Sequence, residues 1–139
     1  PHHHHHHSTR FHTAALIMDS KLALQISGTM GALYTVQLLA VPSMYLESDG
    51  QPVTEDNINF CRGIAGGIAG LVSISYMGAN SENKELRTAA LCASATAFAI
   101  WSANNISRVV KGKDSVQAKM DVACSLGLGA LVTAALFTK

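Results

Sequence analysis

Four long stretches of this chain contain no Asp, Glu, Lys or Arg, and nearly all the charge lies in the short segments between them. The charge-free stretches are residues 22–46, 63–81, 88–107 and 122–138. A helix needs about 20 predominantly apolar residues to cross a bilayer, and these stretches approach that length. The pattern therefore predicts an all-α protein, an integral membrane four-helix bundle in a single domain.

Turn and capping residues between the stretches indicate where each helix begins and ends. Pro42 should end or kink the first helix, because its ring removes a hydrogen-bond donor. Thr54 can cap the second helix, Ser81 or Asn83 the third, and Ser115 the fourth. We expect the helices at about residues 22–42, 58–78, 85–107 and 115–137.

Short connections force consecutive helices to lie antiparallel, so the bundle should run up-down-up-down. The longest connection is the acidic loop at residues 43–57, and it should share one end of the bundle with the connection at 108–114. The Lys and Arg residues are almost evenly divided between the two ends. The positive-inside rule therefore predicts no orientation in the membrane.

The first residues are interpreted as an addition to the native chain. Residues 1–17 contain six consecutive histidines and resemble an expression tag with its linker, so the native domain should cover residues 18–139 and begin at Met18. Only 14% of the chain is charged, against about 25% in ordinary soluble domains, as lipid-facing helices require. Acidic and basic residues balance in the native part, so charge predicts no nucleic-acid partner.

The sequence contains no catalytic signature, no metal-ligand spacing and no phosphate-binding loop. No histidine of the native part is available to activate a serine or cysteine. The three cysteines, Cys61, Cys92 and Cys124, lack the spacing of a zinc site or a disulfide framework. We therefore expect no enzyme activity, metal or cofactor. Cys61 and Cys124 should lie at one end of the bundle, as packing residues or, alternatively, as a redox pair.

Glycines in two predicted helices have the spacing that lets helices approach closely. The second helix contains two overlapping Gly-x-x-x-Gly pairs and the fourth has a face of small residues, in which the glycines are Gly63, Gly66, Gly67, Gly70, Gly127 and Gly129. Residues four apart share a helix face, and glycine there permits backbone contact. We expect these glycines to pack helices within the chain, with a homo-oligomer contact as the alternative.

Five polar residues should lie at similar depth near the acidic loop. They are Gln37, Arg62, Asn104, Asn105 and Asp121. We expect Arg62 and Asp121 to form an ion pair between neighbouring second and fourth helices, because pairing makes such charges tolerable near lipid. This polar layer either binds a polar or anionic headgroup or solute, or consists of ordinary helix ends.

The second helix begins with Asn-Phe-Cys-Arg-Gly-Ile-Ala-Gly at residues 59–66, after a polar loop that contains Pro52. In this segment and in its four-span layout, the chain resembles small four-helix membrane proteins of the DoxX-like type. The resemblance implies a membrane-embedded accessory or redox-associated subunit. It assigns no residue a role, beyond drawing attention to Arg62.

Together the patterns favour a multi-pass membrane protein that acts as a helix-packing scaffold or accessory subunit. Its partners would be the lipid bilayer and a second copy or another membrane protein. The alternative is a small transporter or channel for a polar solute or ion. A membrane enzyme acting on lipid is a third, weaker hypothesis, and nothing in the sequence indicates which membrane is involved.

Overall fold

A computed structural model describes residues 19–138, and all the regular secondary structure of these residues is helical. The helices are α1 (Ser20–Ala40), α2 (Pro42–Ser48), α3 (Glu55–Ala79), α4 (Lys84–Val110) and α5 (Val116–Phe137). The four longer helices are each long and apolar enough to cross a membrane. The predicted all-α class is therefore confirmed for these residues. The predicted tag and linker, the predicted start at Met18 and the terminal Lys139 lie outside them.

Three of the four long helices begin at capping residues that the sequence suggested, and α1 is capped by Asp19, which it did not suggest. The Thr54 hydroxyl accepts a hydrogen bond from the Asn57 amide at the start of α3, over 3.2 Å. Asn83 caps α4 through the amides of two residues in its first turn. Ser115 caps α5 by accepting from the Ala118 amide at 3.0 Å. Each cap satisfies amides that have no partner inside their helix.

The predicted acidic loop at residues 43–57 is wrong in part, because its first half forms α2. The first helix ends at Ala40, and Pro42 occupies the first turn of α2. Proline is favoured there, since its missing N–H is not needed and its fixed φ suits a helix. Leu46 is buried, so α2 lies against the bundle and only residues 49–54 connect it to α3.

The four long helices form a ring in chain order. α1 packs along α3, α3 against α4, and α4 along α5, and a smaller contact joins α5 to α1. A Lys21–Glu82 ion pair of 2.8 Å places the start of α1 beside the connection between α3 and α4. At the other end, Asp49 pairs with Arg108 and brings the end of α2 to the end of α4. Consecutive long helices therefore run in opposite directions.

The helices α3 and α5 make no contact with each other within the described residues. They lie diagonally across the ring, whereas the other diagonal pair, α1 and α4, touches. The expectation that these two helices are neighbours is therefore wrong. Similar small-residue faces do not by themselves identify which helices pack together, because such a face also suits contact with other chains.

Two clusters of buried apolar residues hold the bundle together. One lies toward the Lys21–Glu82 end and consists of residues from α1, α3, α4 and α5, namely Ala23, Leu24, Ala79, Ala90, Leu91, Phe98, Val132 and Ala135. The other lies beneath α2 and consists of Leu38, Leu46, Cys61, Ala65 and Ile68. Trp101 packs against both clusters, and its ring meets Phe98 edge-on at 5.7 Å.

Close helix contacts use glycines other than most of those predicted. A Cβ atom at Gly31 would lie 2.7 Å from Cγ2 of Val72, and one at Gly78 would lie 2.6 Å from Cβ of Ala90. Of the predicted set, only Gly129 is tight, with Cβ of Phe98 at 3.2 Å from its added Cβ. Glycine at these positions permits the approach of α1 to α3, α3 to α4 and α5 to α4.

The remaining predicted glycines face away from the rest of the chain. A Cβ atom added at any of them meets no atom within 4 Å, and they are Gly63, Gly66, Gly67, Gly70 and Gly127. On α3 the buried face contains Cys61, Ala65 and Ile68, and helical spacing puts the four glycines on the opposite face. The expectation that these five pack helices within the chain is therefore wrong, and their use in an oligomer contact stays a prediction.

Candidate functional site

A cavity of about 370 Å³ lies inside the ring, and residues of all five helices line it. Both α3 and α5 contribute to its wall, although they do not touch each other. The wall is apolar along much of its length, with the side chains Ile64, Ile68, Leu71, Val72, Phe98 and Leu128. The volume lies at the lower end of the range of about 300–1,000 Å³ that small-molecule sites occupy.

The polar end of the cavity is built around Asp49, whose side chain is only 1% exposed. One guanidinium nitrogen of Arg108, Nη2, donates to both carboxylate oxygens of Asp49, over 2.7 and 2.6 Å. The Ser115 hydroxyl and the Gln51 amide donate to the same carboxylate, and Lys113 Nζ lies 3.9 Å away. These contacts tie the end of α2 to α4 and α5.

A second buried carboxylate, Asp121 of α5, lies beside the first. The hydroxyls of Tyr34 and Tyr45 donate to its two oxygens, over 3.1 and 2.9 Å. Gln117, one helical turn earlier, donates its amide over 2.8 Å, and Arg108 Nη1 lies 3.8 Å away. Asp121 is 7% exposed, so these protein donors take the place of water around its charge.

The phenol of Tyr45, on the short helix α2, stays protonated to unusually high pH. Its burial disfavours the charged form and raises the pKa above the ordinary value, and the negative charge of Asp121 raises it further. A neutral phenol can donate to the Asp121 carboxylate, whereas a phenolate cannot. The hydrogen bond from Tyr45 is therefore present throughout the neutral pH range.

The amides of α4 complete this end of the cavity. Asn105 donates its side-chain amide to the backbone carbonyl of Asp121 at 3.3 Å and to the Ser125 hydroxyl at 3.4 Å. Asn104 lines the open part of the cavity as an exposed residue, and its side chain makes no hydrogen bond to the described part of the chain. Asn104 therefore remains free to bond a molecule in the cavity.

The structure brings together three of the five predicted polar-layer residues. Asn104, Asn105 and Asp121 line the cavity, whereas Gln37 and Arg62 do not. Arg62 is exposed, and the cation beside Asp121 is Arg108. The predicted Arg62–Asp121 ion pair is therefore wrong, because α3 and α5 are not neighbours.

Several residues of this site were not predicted from the sequence, namely Tyr34, Tyr45, Asp49, Arg108 and Gln117. Some local signals were present. Gln117 and Asp121 have the spacing of four at which helical side chains meet, and Pro42 favours a helix start that would order Tyr45. The pairing of Asp49 with Arg108 has no local signal, because 59 positions separate them.

Two of the three cysteines line the cavity. Cys61 of α3 is buried and Cys124 of α5 is partly exposed, whereas Cys92 of α4 is exposed outside it. All three thiols are free. The expectation that Cys61 and Cys124 lie at one end of the bundle fits their place near the polar cluster, and no disulfide joins them.

Comparison with family models, curated proteins and solved structures found no match to this chain. The resemblance to DoxX-like proteins stays a prediction. The geometry of the cavity and of its polar end is therefore the basis for inferring a function.

Proposed function

We propose that this chain is an integral membrane protein whose four long helices cross the bilayer and hold one small amphipathic molecule in the cavity. The observation that carries the proposal is the division of the cavity wall into a polar end and an apolar length. A molecule with a polar head and an apolar body matches both parts. This function is nearest to the solute-binding alternative that the sequence raised.

Large apolar side chains on the outside of the helices support the membrane location. Leu33, Val36, Met77 and Ile100 are each at least 60% exposed, and they lie on three of the long helices. Soluble proteins seldom expose large contiguous apolar surfaces. A bilayer would cover these side chains, and the charged residues at the helix ends would lie in its polar interface.

The depth of the wall residues supports an amphipathic occupant. Val72 lies 17 positions after the start of α3 at Glu55, which corresponds to roughly 25 Å along the helix axis. The polar cluster around Asp49 and Asp121 lies near the opposite end of the cavity, beside α2. The head of the bound molecule would therefore lie at the interface, with its tail at hydrocarbon depth.

Packing beyond the apolar end favours binding over a continuous pore. Leu24 and Ala90 are fully buried there, and the hydroxyl of Ser75, which lines this end of the cavity, lies 3.3 Å from the hydroxyl of Ser94 on α4. A pore would need a path through this packed cluster. A blind cavity instead suits a protein that retains or carries a molecule.

The single tryptophan provides a direct test, because Trp101 lines the cavity. We would titrate the protein in an uncharged detergent with single-chain amphiphiles that carry bromine on the chain, one a monoacylglycerol and one a fatty acid. Saturable quenching of Trp101 fluorescence by either amphiphile is expected. If quenching by both amphiphiles rises with concentration and does not saturate, the proposal is contradicted.

A matched pair of variants separates cavity binding from general contact with detergent. Leu128 lines the cavity, whereas Leu126, on the same helix, does not and is 47% exposed. Leu128→Phe should fill the cavity and weaken saturable quenching, while Leu126→Phe should leave it unchanged. Equal quenching in both variants would show that the amphiphile does not occupy the cavity.

The uncovered glycine face of α3 favours a second function, that of a scaffold or accessory subunit. We propose that this face packs against a second copy of the chain, because its Gly-x-x-x-Gly pairs permit close helix contact and none of the five described helices covers them. Gly67→Leu should lower the dimer fraction that sedimentation in detergent measures, and Gly127→Leu should not. A monomeric wild-type protein would contradict this second proposal.

A further inference from the structure

We propose that the cavity selects an uncharged, single-chain amphiphile whose head carries an oxygen acceptor, such as the ester and hydroxyl groups of a monoacylglycerol. This inference rests on the proposed binding function and specifies the class of molecule bound. Three features of the structure carry it: the charge balance of the polar end, the hydrogen bonds that its carboxylates already accept, and the size of the cavity.

The charges at the polar end already balance. Asp49 and Asp121 provide two negative charges, and Arg108 and Lys113 provide two positive charges within 4 Å of them. An anionic head would add a negative charge beside two buried carboxylates, with no cation of the described chain left there to pair with it. Taking an unpaired charge out of water carries a large free-energy cost, so a neutral head is favoured.

The groups left free for a ligand include hydrogen-bond donors. Both carboxylates are occupied, since Asp49 accepts from Arg108, Gln51 and Ser115, and Asp121 has three donors of its own. Asn104 is an exposed residue at the cavity, and its amide has no hydrogen-bond partner in the described chain. Arg108 Nη1 is 3.8 Å from the Asp121 carboxylate, beyond hydrogen-bond range. A ligand oxygen could accept from both Asn104 and Arg108.

The absence of an available carboxylate also disfavours a cationic head. An ammonium group would need to displace Tyr34, Tyr45 or Gln117 from Asp121, and each of these donates over 3.1 Å or less. It would also approach the positive charge of Arg108. The same electrostatic balance therefore acts against either sign of charge.

The size of the cavity favours one chain over two. Its volume of about 370 Å³ is close to the lower limit of ordinary small-molecule sites. The apolar wall is formed by side chains from α1, α3, α4 and α5. A single acyl chain with a compact head suits this space better than a two-chain phospholipid.

The test compares the brominated monoacylglycerol with the brominated fatty acid at pH 9, where the fatty acid is ionised. We expect the monoacylglycerol to quench Trp101 with at least tenfold higher affinity, because the anion lacks a counter-charge. Equal or tighter saturable binding of the fatty acid would overturn the inference but leave the proposed function intact. If neither amphiphile saturates, the proposed function fails as well.

Substitutions of Asn104 test the assignment of the head group without removing a hydrogen bond of the fold. Asn104→Leu should weaken monoacylglycerol binding roughly three- to tenfold, as expected for one lost hydrogen bond. Asn104→Lys adds a positive charge that can pair with the fatty acid. It should lower the ratio of monoacylglycerol affinity to fatty-acid affinity by at least about tenfold. Unchanged affinities for both amphiphiles in both variants would place the head elsewhere and overturn the inference.

Discussion

At the scale of single residues, Arg108 holds the polar end of the bundle together. Its guanidinium donates to Asp49 and lies close to Asp121, so the positive charge of one side chain stabilises two buried carboxylates. Its position in the last turn of α4 also places a positive charge where the helix dipole is negative. Loss of this residue would leave both carboxylates without their nearest cation.

We predict that Arg108→Gln lowers the free energy of unfolding in mixed micelles by roughly 2–4 kcal/mol. This is somewhat below the 3–5 kcal/mol of a fully buried pair, because the Arg108 side chain is 26% exposed. Lys113→Gln is the control, since Lys113 is 3.9 Å from Asp49 and partly exposed, and it should cost less than about 1 kcal/mol. Equal losses in the two variants would contradict the central role of Arg108.

Tyr45 should make stability depend on pH in the alkaline range. Its pKa is raised in the folded state above the unfolded value of about 10. Above about pH 10 the phenol ionises more readily in the unfolded state than in the folded state. The free energy of unfolding is therefore unaffected below about pH 10 and falls as pH rises toward the folded pKa. Tyr45→Phe should remove this part of the alkaline loss, which unfolding measured between pH 9 and 12 would detect. An identical pH profile for wild type and Tyr45→Phe would contradict the burial of the Tyr45 phenol beside the Asp121 charge.

At the scale of the elements, α3 has two faces with different roles. One face carries the buried residues of the cavity and core, and the other carries four glycines that no helix within residues 19–138 covers. Gly78 lies at the end of α3 and belongs to the packed set, because Ala90 of α4 lies against it. Glycine therefore permits a close helix contact at Gly78, whereas the other four glycines of α3 make no such contact within the described chain.

We predict that Gly78→Ala destabilises the bundle by roughly 1–3 kcal/mol, because the added Cβ would lie 2.6 Å from Cβ of Ala90. Gly66→Ala should instead be neutral or stabilising by up to about 1 kcal/mol, since open space surrounds it and alanine favours the helix. Unfolding in detergent under monomeric conditions gives both values. Similar destabilisation by the two changes would contradict the orientation of α3.

Helices that are determined by neighbouring residues could be predicted from the sequence, whereas a helix that depends on tertiary packing could not. The long helices and their caps at Thr54, Asn83 and Ser115 depend on charge-free stretches and neighbouring amides, so they could be predicted. The short helix α2 was missed because only one turn follows Pro42 before the polar residues begin. A short helix draws its stability from packing, here through Leu46, and the local pattern does not reveal that packing.

At the scale of the whole molecule, the sequence did not predict which helices pack against each other around the cavity. Small residues on α3 and α5 suggested that these helices pack together, yet they lie across the ring from each other. The polar cluster depends on this arrangement, because it joins α1, α2, α4 and α5 through Asp49, Arg108 and Asp121. Contacts over such sequence separations depend on tertiary packing, which a single sequence does not specify.

The membrane location has a simple test. The protein should remain in the membrane pellet after an alkaline wash and should need detergent to stay monodisperse, because large apolar side chains cover the outside of its long helices. Release into the wash, or a monodisperse protein after detergent removal, would contradict the bilayer location.

The reactivity of the cysteines shows whether the bundle holds an amphipathic molecule in its cavity. Cys124 lines the cavity and Cys92 lies outside it, and both thiols are free. We would measure alkylation of each by mass spectrometry in detergent, with and without monoacylglycerol. The account predicts that the amphiphile slows alkylation of Cys124 several-fold and leaves Cys92 unchanged. Equal rates at Cys124 with and without the amphiphile, or equal slowing at both cysteines, would contradict it.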